Sequence, residues 1–125
     1  MYLNTVQLMG FTGHQAEAKE TSGGKPYTRF SIATKSTWMK DGERQRTEWH
    51  SVIAWGKLGA YAAGFKQGAH IMVEGELRNR EYERGSDGIH MKTYEVVARV
   101  IKNLRPHQRI DTNHAEELAD EGGRD

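Results

Sequence analysis

Thr47-Glu48-Trp49-His50-Ser51-Val52-Ile53-Ala54-Trp55-Gly56-Lys57 is the stretch on which the fold turns. It reads as a β-strand that stops where the hydrophobic period changes. Trp49 and Trp55 are six residues apart, and strand side chains alternate with a period of two, so both rings belong to one face of one sheet. Ser51 and Ile53 share that face; Val52 and Ala54 take the other. Apolar residues thus stand on both faces, and the pattern leaves open whether the two rings are core or exposed. Directly afterwards, Leu58, Tyr61, Ala62 and Phe65 follow the i, i+3, i+4, i+7 spacing of one face of a short helix. Gly68 is placed to cap that helix in the left-handed conformation.

Working outward, the chain on either side returns to strand alternation. Residues 3–11 put Val6 and Leu8 on one face and Gln7 and Met9 on the other, and residues 22–26, Ser-Gly-Gly-Lys-Pro, form a turn. Residues 27–34 make a second strand, with Phe30 and Ile32 inward and Arg29 and Ser31 outward. A charged loop, residues 40–46, leads into the strand quoted above. After the helix, residues 70–80 set Ile71, Val73, Gly75 and Leu77 against Met72, Glu74, Glu76 and Arg78. A hairpin loop at residues 84–88 leads to a last strand, residues 92–104, with Tyr94, Val96, Ala98 and Val100 on one face and Pro106 as its stop. The fold class is therefore all-β. Five strands with one short helix between strands 3 and 4 is the order of an OB-fold, a five-stranded Greek-key barrel that binds oligonucleotides on an open face. Gly10 and Gly75, inside strands, allow the bends a small barrel needs.

Composition narrows the function. A chain of 125 residues holds one domain, residues 1–105, and a short tail, residues 106–125. The tail carries six acids (Asp111, Glu116, Glu117, Asp120, Glu121, Asp125) against two bases (Arg109, Arg124), a balance of −4. With a net charge of +1, the body therefore carries +5, which suits a domain that binds a polyanion. The polar tail has too few apolar residues to dock firmly and reads as disordered. Absence of cysteine excludes a disulfide scaffold, a cysteine–zinc site and a cysteine nucleophile, and it suits a reducing compartment. No apolar run spans a bilayer, and the N-terminus is too polar for a secretory signal, so the expected place is the cytoplasm, with no membrane partner.

Aromatic and basic side chains recur together: Lys35 with Trp38 and Lys40, Trp55 with Lys57, and Arg78 and Arg80 with Tyr82 and Arg84. An unpaired base needs a flat ring to stack on and a cation for its phosphate. The scattered histidines make no credible metal site: His107, Asp111 and His114 have helical spacing but lie in the polar tail. No nucleophile elbow or phosphate loop is present, and Glu48, Glu74 and Glu76 read as strand-surface charge. No cofactor, metal or catalytic residue is expected, and the protein is not expected to be an enzyme.

Residues 1–105 resemble the bacterial single-stranded DNA-binding protein family of the OB-fold type. The resemblance rests on Thr47-Glu48-Trp49-His50, on Trp55-Gly56-Lys57-Leu58, on Gly68, and on residues 73–80, Val-Glu-Gly-Glu-Leu-Arg-Asn-Arg. Residues 4–10, Asn-Thr-Val-Gln-Leu-Met-Gly, and residues 30–38, ending in Trp38, add to it. It implies a homo-oligomer, a tetramer in most of the family, that wraps single-stranded DNA in replication, recombination and repair without reading its sequence. By position it implies base stacking by Trp38, Trp49, Trp55 and Tyr82. It further implies backbone contacts by Lys35, Lys57, Arg78 and Arg80, and a subunit contact at His50. The carry-over favours exposure of the rings. The chain departs from the pattern at Glu81, where a basic residue is common, and at Tyr82, where tryptophan is common. It also ends without the Pro-Phe tip through which relatives dock replication and repair proteins, so that partnership is not implied here. These departures keep an alternative in view: an OB-fold adaptor acting mainly through protein–protein contacts in a primosome or mobile-element replication complex.

Overall fold

A computed structural model describes residues 1–14, 16–85 and 88–105. The tail expected to be disordered and the tip of the hairpin at Ser86 and Asp87 lie outside the described residues. The described residues form six strands and one helix in order: β1 (Val6–Thr12), β2 (Glu17–Glu20), β3 (Pro26–Met39), β4 (Glu43–Trp55), α1 (Gly56–Ala63), β5 (His70–Arg84) and β6 (Ile89–Asn103).

Five of the strands close on themselves. β1 pairs antiparallel with β5 along Val6↔Gly75 to Phe11↔His70, and again with β3 at Phe11↔Ala33 and Thr12↔Ile32. β3 and β4 form a long antiparallel ladder, β5 and β6 another, and β4 meets β6 in parallel at Val52↔Val96 and Ile53↔Val97. The ring β1-β5-β6-β4-β3-β1 is the five-stranded barrel expected, with α1 between the third and fourth of its strands. Inside lie Phe30, Ile32, Val52, Ala54, Ile71, Val73, Val96, Ala98 and Ile101, joined by Ala62 of α1 and Phe65 just after it. Burying this apolar surface is the main favourable contribution to the fold. Buried Thr28 ties α1 to β3, its Oγ1 donating to the Gly59 carbonyl at 2.7 Å.

Several local expectations are corrected. β2 was not expected: its Glu-Ala-Lys-Glu sequence is exposed at every position, so no apolar alternation marks it, and its pairing with β3 alone makes it a strand. The charged loop before β4 shrinks to residues 40–42, because the outer parts of β3 and β4 project from the barrel as a two-stranded ribbon with exposed side chains. The helix ends at Ala63 with Gly64 in right-handed helical geometry. Gly68 does adopt a positive φ of 84°, but in the following turn, where its N–H donates to the Thr12 carbonyl at 3.0 Å. Tyr61 is exposed and packs edge-to-face with Phe65 rather than entering the core. Leu77 and Tyr94 also leave the core face for solvent, since the β5–β6 hairpin outruns the barrel.

The last correction has a geometric cause. Glu74 pairs with Val100 but Gly75 pairs with Ala98, so Arg99 is an extra residue in β6. This bulge reverses the alternation and brings Ile101, not Val100, into the core. Gly75 sits at the bulge, where a β-carbon would collide with the carbonyl of Val97, and one at Gly10 would collide with that of Ala33. Gly75→Ala is expected to lower stability by about 1–3 kcal/mol in urea unfolding. Gly23→Ala, at an open turn position, should change it by less than about 0.5 kcal/mol.

Candidate nucleic-acid interface

The β3–β4 ladder sorts the side chains before any chemistry enters. Tyr27 pairs with Trp55 and Ala33 with Trp49, so these residues share a side with Arg29, Ser31 and Lys35. That side faces away from the core, which holds Phe30, Ile32, Val52 and Ala54. The parallel pair Ile53↔Val97 and the antiparallel pair Arg78↔Glu95 continue the same outer face across β6 to β5, where Arg80 and Tyr82 follow by alternation. One continuous surface thus brings together Trp49, Trp55, Lys35, Arg78, Arg80 and Tyr82.

The rings on this surface differ in exposure. Trp49 is 61% exposed and lies over Gly13, so close that a β-carbon there would come within 2.7 Å of its Cζ3. Tyr82 is 43% exposed, with the Arg80 guanidinium 5.7 Å from its ring centre. Trp55 is half-buried: the Tyr27 ring is tilted against it at 5.1 Å, and Lys25 Nζ sits 4.7 Å from its ring centre. Arg29 in turn lies 5.2 Å from the Tyr27 ring centre. A row of cation, ring, ring and cation results, and each ring–cation contact adds attraction between the ring quadrupole and the charge.

Three expected site residues lie elsewhere. Trp38, 44% exposed, sits opposite Arg44 far along the ribbon, and alternation places it on the side of Ile32 and Thr34 rather than that of Trp49. His50 is also on that side, half-buried and sharing a 2.9 Å hydrogen bond with Thr34 Oγ1. Lys57 is exposed in the first turn of α1, two residues beyond Trp55. Lys25, Tyr27, Arg29 and Glu95 carry no local signal for this site. Arg29 faces outward as alternation predicts, but nothing local links it to Glu95, which is 66 residues away and joined to it at 3.4 Å.

Charge on the surface is lightly committed. On the outer face exposed Arg78 meets the half-buried Glu76 at 3.3 Å, and on the Trp38 side of the ribbon Arg46 meets Glu48 at 2.6 Å in an exposed pair. Such pairs are worth about 0–1 kcal/mol, so a phosphate can displace the carboxylate at small cost. Among the described residues, no three His, Asp or Glu side chains come together as metal ligands, and no helix is long and apolar enough to cross a membrane.

Comparison with known proteins adds the family context. The sequence pattern of the single-strand binding protein family matches residues 3–104. The chain is 37% identical over 107 residues to the single-stranded DNA-binding protein of Neisseria meningitidis serogroup A, covering 83% of this chain and 61% of that protein. It is 40% identical over 105 residues to the protein of the same name from Xanthomonas axonopodis pv. citri, covering 82% and 58%. The chain therefore spans about three fifths of the length of these relatives. In three dimensions it resembles the Plasmodium falciparum SSB solved in complex with ssDNA, with a TM-score of 0.73 and 20% identity, covering 83% of this chain and 96% of that one. This likeness shows the OB-fold.

Trp49 and Ile53 share a face but differ in burial, so they separate display from packing. Trp49→Ala should leave the urea-unfolding free energy within about 0.5 kcal/mol of the parent. Ile53→Ala, at a site only 3% exposed, should cost about 2–5 kcal/mol.

Proposed function

Because the chain belongs to the single-strand binding protein family, we propose that it binds single-stranded DNA without catalysis, coating exposed strands in replication, recombination and repair. The observation that carries this reading is the outer face itself: exposed Trp49 and Tyr82 and half-buried Trp55 on one surface, with Lys25 against the Trp55 ring and Arg80 against the Tyr82 ring. Trp49, Trp55 and Tyr82 supply stacking platforms along that face, and Trp38 extends the path around the ribbon. Stacking on an aromatic ring is worth about 1–3 kcal/mol per base and accepts any base, because every base has a π-face. A duplex hides those faces, which is the source of single-strand preference.

Lys35, Lys57, Arg78 and Arg80 contact the phosphates. Each phosphate neutralised releases condensed counterions, so affinity falls steeply as salt rises. The copies assemble as a homo-oligomer, a tetramer as the resemblance implies, with His50 at a subunit contact on the side of the ribbon away from Trp49. DNA in the cytoplasm is the place of action. Family membership and the cation-flanked rings together weigh for DNA binding over the adaptor alternative.

Tryptophan fluorescence titrated with an unstructured oligonucleotide tests this directly. Strong quenching by the single strand and little by the matching duplex is expected; equal affinity for both would overturn the reading. Trp55→Ala should weaken single-strand binding by about 1–3 kcal/mol. Replacing both Arg78 and Arg80 by Ala should reduce the steepness of log K against log salt by about 1.4.

A further inference from the structure

We propose that the cleft beside Trp55 is a nucleobase pocket that selects guanine, a reading that rests on the chain's binding single-stranded DNA. The cleft is open, about 340 Å³ in volume, and is walled by Tyr27 and Trp55, with buried Ile53, Arg29, Glu95 and Arg78 also lining it. That volume lies at the lower end of the roughly 300–1,000 Å³ of ligand sites, in keeping with one nucleotide rather than a larger group.

Arg29 and Glu95 set the chemistry. Their side chains are 24% and 11% exposed, and they reach each other from β3 and β6 across the intervening β4. A brace between strands would be expected to use the two parallel bonds of a fork-to-fork arginine–carboxylate pair. Here the contact is a single long one, Nε donating to Oε2 at 3.4 Å. Among the described residues, the Arg29 Nη atoms and Glu95 Oε1 have no other hydrogen-bond partner, and none of them is sealed from solvent. A donor fork and a carboxylate oxygen therefore stand side by side with unused capacity.

Guanine complements that pair better than any other base. Its Watson–Crick edge presents two adjacent donors, N1–H and N2–H, beside the acceptor O6. The Glu95 carboxylate accepts from both N–H groups, and the Arg29 guanidinium donates to O6. Adenine, cytosine and thymine each aim only one N–H along that edge, so they leave carboxylate capacity unused. Ile53 beneath the pair keeps the site partly dry, which strengthens such bonds. Arg78, on the same face, is placed for the neighbouring phosphate. Elsewhere the path stays tolerant of sequence, because stacking alone operates there.

The test uses the full chain and thymidine oligonucleotides that carry one interior dG, or one inosine, which lacks only the N2 amine. The dG oligonucleotide should bind about fivefold or more tighter than its inosine counterpart. Glu95→Gln should abolish that ratio. Equal affinities on the unmodified protein, or a ratio that survives in Glu95→Gln, would overturn the guanine pocket while general binding stands. Failure of every oligonucleotide to bind would overturn the general reading and the pocket with it. Should Glu95→Gln fail to fold, the dG-to-inosine ratio on the unmodified protein decides alone.

Discussion

The register of the β3–β4 ladder, running from Tyr27↔Trp55 to Met39↔Glu43, is the constraint on which the rest of the structure depends. Because strand side chains alternate, this one alignment sends Phe30, Ile32, Val52 and Ala54 inward and Tyr27, Arg29, Trp49 and Trp55 outward. A slip of one residue between the strands would carry one set to the other's side. Core and outer face are therefore two consequences of a single pairing. The core holds the register, since burying Val52 and Ile32 is favourable only in this alignment, and the register holds the rings out.

Elements around that ladder widen the outer face into a usable surface. The parallel contact with β6 at Val52↔Val96 continues the sorting, and β5 follows through its own ladder with β6. The bulge at Arg99 then reverses the alternation, so the barrel is filled by Ile101 at its far end while Arg78 and Arg80 keep their outward side. The long β5–β6 hairpin runs past the core, which exposes Leu77 and Tyr94 and carries Tyr82 out beside Arg80. The charges there are held by light contacts: the half-buried Glu76 carboxylate for Arg78 and a ring face for Arg80. Such exposed and ring-face contacts hold a cation only lightly.

Much of this was legible in the residues themselves. The two tryptophans six apart predicted a shared face, and the ladder puts them there. The change of period after Trp55 predicted the helix, and the order of strands around it predicted the barrel. The ambiguity over Trp49 and Trp55 was also real: the outer face contains Ile53, which is buried though it lies between the two rings, so apolar residues do stand on both sides of β4. Alternation reports which residues share a side. It does not report how far the neighbouring strands cover that side.

By itself, then, the sequence determined what depends on near neighbours: the strand alternation of β3 and β4, the presence of a helix after Trp55, and the pairing of Tyr82 with its local cation Arg80. Only the tertiary structure decided what depends on residues far apart. β2 is a strand because β3 offers it an edge, the inward residue of β6 changes because a bulge faces Gly75, and Trp55 is half-covered because Tyr27 of β3 and Lys25 just before it arrive beside the ring. The Arg29–Glu95 pair belongs to the same class. Its members are ordinary surface charges in the one-dimensional chain, and they share a cleft only after three strands have been laid side by side.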